Sequence, residues 1–154
     1  MNIKLIAIGN KMPAWVNSGF NEYAKRLPPD YRLQLIEIPA LKRTKNTVAE
    51  QVMKAETEKL LAASTNPIIA LDRQGKIVST EKLAEQLQSW HDHHQSPSLL
   101  VGGPEGLSAA GQKLADDTWS LSALTFPHPL VRIILAEQIY RAWSILSHHP
   151  YHRS

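Results

Sequence analysis

The chain has 154 residues, 43% of them hydrophobic, with a formal net charge of +3 at pH 7 and no cysteine. This length suits one compact domain and is too short for two, so we expect a single domain over residues 1–154. The lack of cysteine excludes disulfides, thiolate metal sites and a cysteine nucleophile, and no apolar run is long enough to span a bilayer. We expect a cytoplasmic protein whose mildly basic charge suits a polyanionic partner.

Hydrophobic periodicity predicts alternating strands and helices in the first two thirds of the chain. The predicted strands lie at residues 2–8, 33–38 and 67–72, and the predicted helices at residues 13–27, 46–63 and 80–93. This alternation favours an α/β fold in which helices flank a mostly parallel sheet.

The last third of the chain predicts two more strand, loop and helix units. A buried strand at residues 99–101 runs into a glycine loop at residues 102–106, and Ser108 is placed to cap the next helix. A second strand at about residues 119–124 leads into a proline-rich bend at residues 126–129. Loops that follow parallel strands meet at one edge of the sheet, where ligand crevices form.

The glycine loop itself allows two interpretations. Its missing side chains let the backbone approach a ligand closely. It matches neither the spaced-glycine dinucleotide fingerprint nor a P-loop, because no Lys-Ser or Lys-Thr pair follows the last glycine. An ordinary tight turn is the alternative interpretation.

Three polar clusters lie outside these units. The basic loop, residues 41–46, carries three cations that either bind phosphates or are simply solvated. The histidines near residue 93 have no convincing ligand spacing, so we predict no metal site at His91, His93 and His94. The tail, residues 147–153, is aromatic and basic, which suits contact with a nucleobase, although such tails are often disordered.

The predicted final helix, residues 130–146, is apolar almost all round. One sheet in so small a domain covers only one side of such a helix, so we expect a second subunit to cover the other and the protein to be a homodimer. Arg132 projects among apolar side chains, where an unpaired cation is costly, and we expect it to have an anionic or carbonyl partner, in the protein or in a ligand.

Several motifs together resemble the ribosomal RNA large subunit methyltransferase H family. They are residues 35–39 with Lys42 and Arg43, Leu71 with Asp72, residues 99–106, residues 121–132, and the tail sequence His-Pro-Tyr-His-Arg. The resemblance covers the chain from end to end and departs from the family pattern at Leu41, where a glycine is expected. It implies a SPOUT methyltransferase with a C-terminal trefoil knot that binds S-adenosylmethionine and works as a homodimer.

The resemblance further implies methyl transfer to N3 of a pseudouridine in helix 69 of 23S ribosomal RNA, with the ribosome as partner. The cofactor pocket is then formed by Leu71, Gly102, Gly103, Leu121, Ser122, Ala123, Leu124, Thr125 and Phe126. The catalytic residues are predicted to be Arg132, Tyr151, His152 and Arg153, with no metal and no membrane involved. The alternatives are an RNA- or ribosome-binding module without methyl transfer and an α/β enzyme for another nucleotide.

The length of the final helix gives the tail a predicted position. About 18 helical residues span roughly 27 Å, so we expect the tail to end far from the pocket of its own subunit. An antiparallel partner would then receive it, which predicts an active site composed of two subunits.

Overall fold

The computed structural model describes residues 1–153, and its framework is a sheet of five strands. The strands are β1 (Asn2–Ile8), β2 (Arg32–Ile38), β3 (Ile68–Ile77), β4 (Ser98–Val101) and β5 (Asp117–Ser120). Their order is β2-β1-β4-β3-β5, and every neighbouring pair is parallel. The predicted parallel sheet is confirmed, whereas the trefoil knot, which concerns how the loops thread, stays a prediction.

Two layers of helices cover the sheet. The helices are α1 (Ala14–Ala24), α2 (Ala49–Ala62), α3 (Thr80–Asp92), α4 (Ala109–Leu114) and α5 (His128–Leu146). One layer consists of α1, α3 and α5, because α5 packs against both of the others, and the second layer consists of α2 and α4. Within residues 1–153, no helix combines the length and hydropathy that a membrane crossing needs.

Alternation along β1, an interior strand of the sheet, supplies buried side chains to both layers. Leu5 of β1 belongs to the larger apolar cluster beneath α1, α3 and α5, whereas Ile6 belongs to the smaller cluster beneath α2. Successive side chains of a strand point to opposite faces, so one buried strand supplies two cores. In the larger cluster the rings of Trp90 and Trp119 stack with centroids 5.8 Å apart.

Serine side chains cap the N-terminal ends of two helices. Ser79 Oγ accepts the Lys82 amide at 3.1 Å at the start of α3. Ser108 Oγ accepts the Gly111 amide at 3.0 Å at the start of α4, which confirms the predicted cap. Each cap satisfies a backbone donor that has no partner inside the helix.

The prediction of a strand at residues 119–124 is wrong from residue 121 onward. The strand ends at Ser120, and residues 121–127 form a loop before α5. Ser120 Oγ donates to the Ser122 carbonyl at 2.9 Å, and Ser122 Oγ accepts the Leu124 amide at 3.0 Å. These local bonds compete with strand pairing and turn the chain out of the sheet.

The helix predicted to begin at residue 46 starts three residues later, at Ala49. Thr47 Oγ1 accepts the Thr44 amide at 2.7 Å, and the Thr47 amide donates to the Thr44 carbonyl at 3.0 Å. The turn that these two bonds form occupies the residues that were expected to open the helix.

The predicted need for a second subunit around α5 is corrected by the packing of α1 and α3. These helices lie on either side of α5, and Leu135 and Ile139 are buried within one subunit. The prediction counted only the sheet as a cover and overlooked the neighbouring helices. Near the start of α5, Leu130 keeps 38% of its surface exposed. The homodimer stays a prediction.

Candidate functional site

A cavity of about 140 Å³ lies where β4 and β5 end, beside residues 71–73 of β3. Val101, at the end of β4, forms part of its wall, and the loop between β5 and α5 forms another part. The lining includes six of the nine residues predicted to hold the cofactor: Leu71, Leu121, Ser122, Leu124, Thr125 and Phe126. The structure therefore has a crevice at this edge of the sheet, and a cofactor role for its lining residues stays a prediction.

The other three predicted residues, Gly102, Gly103 and Ala123, are not part of the lining. A Cβ atom on Gly102 would lie 2.7 Å from the backbone carbon of Gly106, so the missing side chain makes room for the loop itself. The Gly106 amide donates to the Gly103 carbonyl at 2.8 Å and closes the turn. Direct contact of these three residues with a cofactor stays a prediction.

Asp72, Arg73 and Trp119 also line the cavity and were not predicted as site residues. Arg73 Nη1 donates to Thr125 Oγ1 at 2.6 Å, which ties the middle of β3 to the loop after β5. Asp72 Oδ2 accepts from Gln112 Nε2 at 3.3 Å. For Asp72 and Arg73, the available signal was their position directly after the apolar residues 68–71, because polar residues that follow a buried apolar segment of a parallel strand lie near the ligand edge.

A second cavity, of about 390 Å³, shares Leu121, Ser122 and Phe126 with the first. It extends between α3 and α5, where Thr80 Oγ1 donates to Gln138 Oε1 at 2.7 Å. Ligand pockets usually have about 300 to 1,000 Å³. The first cavity alone is below that range, and the second cavity, on the other side of the shared residues, is within it.

The C-terminal tail packs against its own subunit. The Tyr151 hydroxyl donates to Glu137 Oε1 at 2.9 Å, and the Tyr151 ring meets the Tyr140 ring edge-on with centroids 4.6 Å apart. Burial, and then the bond to Glu137, raise the pKa of Tyr151, so its hydroxyl keeps its proton. His152 lies between Arg141 Nη1, at 3.3 Å from Nδ1, and a carboxylate of α3.

The tail position corrects the argument from the length of α5. The chain reverses at His148, which has a φ of 57°, and returns along the helix as far as Glu137. The tail is therefore not held a full helix length away from its own pocket. Arg153 is exposed.

Arg132 is fully buried and has the partners that its apolar setting predicts. Its Nη1 donates to Glu37 Oε2 at 2.6 Å, and its Nη2 donates to the carbonyls of Gly9 at 2.7 Å and Ile8 at 3.3 Å. One turn earlier on α5, burial and then the nearby charge of Arg132 lower the pKa of His128. A catalytic role for Arg132 stays a prediction.

The side chains of His91 and His93 contact different partners. The His91 ring stacks on Tyr31 with centroids 4.7 Å apart, and His93 Nδ1 lies 2.7 Å from the Ser89 carbonyl. No group of three His, Asp or Glu residues in the described part of the chain is arranged to hold a metal ion.

The family described as "Predicted SPOUT methyltransferase" matches residues 1–152, and the chain belongs to this family. Within it, the chain is 52% identical to the ribosomal RNA large subunit methyltransferase H of Marinomonas sp. (strain MWYL1), over 99% of this chain and 100% of that protein. These findings confirm the family resemblance seen in the sequence motifs.

Two solved structures support the fold. A protein of a methylase family from Haemophilus influenzae Rd KW20 has a TM-score of 0.57 at 12% identity, with 99% of this chain and 70% of that chain covered. A protein of a methylase family from Neisseria gonorrhoeae has a TM-score of 0.53 at 12% identity, with 98% and 95% covered. At these identities the likeness concerns the fold alone, and it confirms the α/β class.

Proposed function

We propose that this protein transfers a methyl group from S-adenosylmethionine to N3 of a pseudouridine in helix 69 of 23S ribosomal RNA. The observation that carries this proposal is the cavity at the carboxyl edge of the sheet, because six residues of its lining are those that the family motifs assign to the cofactor. The name of the 52% identical relative supports ribosomal RNA as the substrate. The protein then acts in the cytoplasm as a single SPOUT-like domain with a knotted C-terminal part.

The residues of the cavity fit the chemical groups of S-adenosylmethionine. Leu71, Leu121 and Phe126 provide apolar surface for the adenine ring, and the backbone of residues 121–126 provides polar groups for its edge. The carboxylate of Asp72 at the same wall suits a ribose hydroxyl or an ammonium group.

S-adenosylmethionine supplies a methyl group on a sulfonium, and its transfer breaks a carbon–sulfur bond while a carbon–nitrogen bond forms. The protein aligns the reacting nitrogen and excludes water. N3 also loses a proton, for which the His152 ring is the proposed acceptor. Tyr151 offers a face for base stacking, and the exposed Arg153 offers a cation for a phosphate or a base carbonyl.

Arg132 acts in this proposal through other residues. Its side chain has no exposed surface, so it does not touch the substrate in the subunit as described. By holding Glu37 and the Gly9 carbonyl, it fixes the ends of β1 and β2 beside the first turns of α5.

A homodimer through the first turns of α1 and α5 completes the proposal. Both helices follow parallel strands and therefore run in the same direction. Gly19 lies against Ile133, and Trp15 and Leu130 each precede that contact by about one turn. Trp15 and Leu130 are 54% and 38% exposed, which leaves apolar surface at one end of both helices for a second copy.

The test combines cofactor binding with methyl transfer. Dialysed protein should bind S-adenosylmethionine in a calorimeter and transfer labelled methyl groups to ribosomes. Binding to ribosomes without any cofactor binding would reject the enzyme and favour the RNA-binding module. Light scattering of the same protein should give twice the chain mass of 17.2 kDa, and a stable monomer would contradict the dimer.

Removal of residues 151–154 tests the tail. S-adenosylmethionine binding should remain while methylation of ribosomes is lost. A tail-deleted subunit mixed with a subunit that cannot bind cofactor should regain activity if the tail serves the partner subunit. No recovery after confirmed subunit exchange would place the tail at its own pocket.

A further inference from the structure

Glu56 of α2 is a buried carboxylate outside the cavity, with a side-chain exposure of 2%. Its Oε2 accepts the Leu41 amide at 3.1 Å, and its Oε1 accepts from Arg43 Nη2 at 3.1 Å. A carboxylate in such a place is costly unless it is paired and hydrogen-bonded. Its two partners both belong to the basic loop.

Arg43 uses all three of its guanidinium nitrogens inside the protein. Besides its bond to Glu56, it donates to both carboxylate oxygens of Glu105, with Nε at 3.1 Å from Oε1, and Nη1 donates to the Leu41 carbonyl at 3.2 Å. The Arg43 guanidinium lowers the pKa of Glu105, and the Glu105 carboxylate raises the pKa of Arg43. A phosphate could bind Arg43 only by displacing a bidentate carboxylate.

The same part of α2 also holds the glycine loop. Thr57 Oγ1, next to Glu56 in the chain, accepts the Ser108 amide at 3.1 Å. A Cβ atom on Gly103 would lie 2.9 Å from Glu56 Oε1 and 3.5 Å from Arg43 Nη2, so the ion pair packs directly on this glycine. The basic loop is thereby fixed beside the loop that follows β4.

Lys42 and Lys45 remain exposed on a backbone that is fixed at both ends. Both polar groups of the Leu41 backbone are bonded, and the turn between Thr44 and Thr47 holds the other end. Neither lysine forms an ion pair within residues 1–153. Two uncompensated cations at a fixed spacing suit the phosphates of an RNA backbone.

We propose that Glu56, Arg43 and Glu105 form a clamp that fixes the basic loop beside the glycine loop, so that Lys42 and Lys45, and not Arg43, contact RNA phosphates. Arg43 is then a positioning residue. This inference rests on the proposed methylation of ribosomal RNA and names the residues that hold its backbone.

The experiment measures the affinity of the full-length protein for ribosomes between about 50 and about 200 mM salt. Lys42→Gln and Lys45→Gln should each reduce the slope of log affinity against log salt by about 0.7 to 0.9, the value of one lost phosphate contact. Arg43→Gln should weaken binding without that change in slope. Lys59→Gln, at an exposed position of α2, is the matched control and should change neither quantity.

Variants of the carboxylates give the sharper test, because the clamp and simple charge repulsion predict opposite changes in the affinity for ribosomes. Neutralising a carboxylate ordinarily favours a polyanion, yet Glu56→Gln and Glu105→Gln should weaken ribosome binding because they release Arg43. Glu58→Gln removes the same charge from the exposed side of α2 and should leave binding equal or slightly tighter. If Glu56→Gln fails to fold, the half-buried Glu105 provides the same test.

Tighter binding by Glu105→Gln together with a reduced slope in Arg43→Gln would make Arg43 a phosphate ligand and overturn the proposal. Unchanged binding in all clamp and lysine variants would also overturn it. Methyl transfer by the unmodified protein is measured separately. A protein that binds ribosomes without methylating them would reject the proposed function while the slopes still decide the clamp.

Discussion

The two helical layers of this protein differ in what holds them to the sheet. Within residues 1–153 the larger cluster, beneath α1, α3 and α5, has 17 buried apolar residues, and the smaller cluster, beneath α2, has six. The α2 layer adds polar contacts in place of apolar area, because Glu56 is buried and bonded to the basic loop and Thr57 is buried and bonded to Ser108, the cap of α4.

This difference gives the two layers different roles, one mainly in stability and the other mainly in the geometry of the site. Burial of a large apolar side chain contributes about 1.5 to 3 kcal/mol, whereas a neutral hydrogen bond contributes a net of about 0.5 to 1.5 kcal/mol. The layer with α5 therefore supplies most of the folding free energy. The layer with α2 supplies fewer contacts, and they position the loops around the cavity.

The largest effect on stability is expected in the α5 layer. Leu87→Ala removes a side chain of α3 that is 0% exposed and should lower the free energy of unfolding by about 2 to 5 kcal/mol, measured by urea denaturation. Ile77→Ala, at a position that is 71% exposed, is the control and should change it by less than about 0.5 kcal/mol. Equal effects of the two variants would remove the basis of the comparison.

A smaller loss is expected in the α2 layer. Thr57→Val keeps the shape but leaves the Ser108 amide without its acceptor, which should cost about 1 to 3 kcal/mol of unfolding free energy. Thr57→Ser keeps the hydroxyl and should cost less. Cofactor affinity measured by calorimetry should fall with Thr57→Val and stay unchanged with Leu87→Ala at a temperature where both are folded, because Leu87 lines neither cavity. The reverse pattern would contradict the division of roles.

The glycine loop should respond in affinity more than in stability. Gly102→Ala places a Cβ atom 2.7 Å from the backbone of Gly106, so the loop must shift, and we expect about tenfold weaker cofactor binding, or about 1.4 kcal/mol. Gly106→Asn is the matched control. Gly106 has a φ of 79° and open space around it, and asparagine tolerates this left-handed conformation. Unchanged affinity in folded Gly102→Ala would contradict the role of this loop.

The smallest expected effect is on the pH dependence of the free energy of unfolding. Because burial lowers the pKa of His128, the unfolded chain binds more protons than the folded chain at mildly acidic pH. The His128 contribution to stability is therefore complete above its unfolded pKa of about 6.5 and is lost as the pH falls through the lower folded value. For His128→Asn, the free energy of unfolding measured by urea denaturation should depend less on pH over this range. The same pH dependence in both proteins would reject this assignment.

Local patterns predicted most of the sheet, because strand and helix periodicity depends on neighbouring residues. Residues 2–8 match β1 completely, and the helix predicted at 80–93 ends one residue beyond α3. The prediction was wrong at residues 121–124, where a mostly apolar segment resembles a strand but Leu121 and Leu124 line a cavity at the edge of the sheet. Apolar surface around a ligand site has the same sequence pattern as apolar surface in a core.

The site was predicted only in part. The contacts that were not predicted join residues far apart in the sequence. Motif resemblance supplied Leu71 and the loop after β5, but Arg73 gained its role through a bond to Thr125, 52 residues away. The pair of Arg43 and Glu105 joins residues 62 positions apart. The sequence had indicated only a basic loop and a separate glycine loop, because neither pattern names its partner.

Arg132 also sets the order in which the chain can complete its fold. The residues it binds, Ile8, Gly9 and Glu37, are synthesised 124, 123 and 95 positions before it. Until α5 has emerged, the end of β1 lacks its cation, and any chain that stops before residue 132 leaves Glu37 without this partner. Closing loops of this length costs entropy before any contact is gained, and such topologies fold slowly. The first strand to be made is thus among the last to be finished.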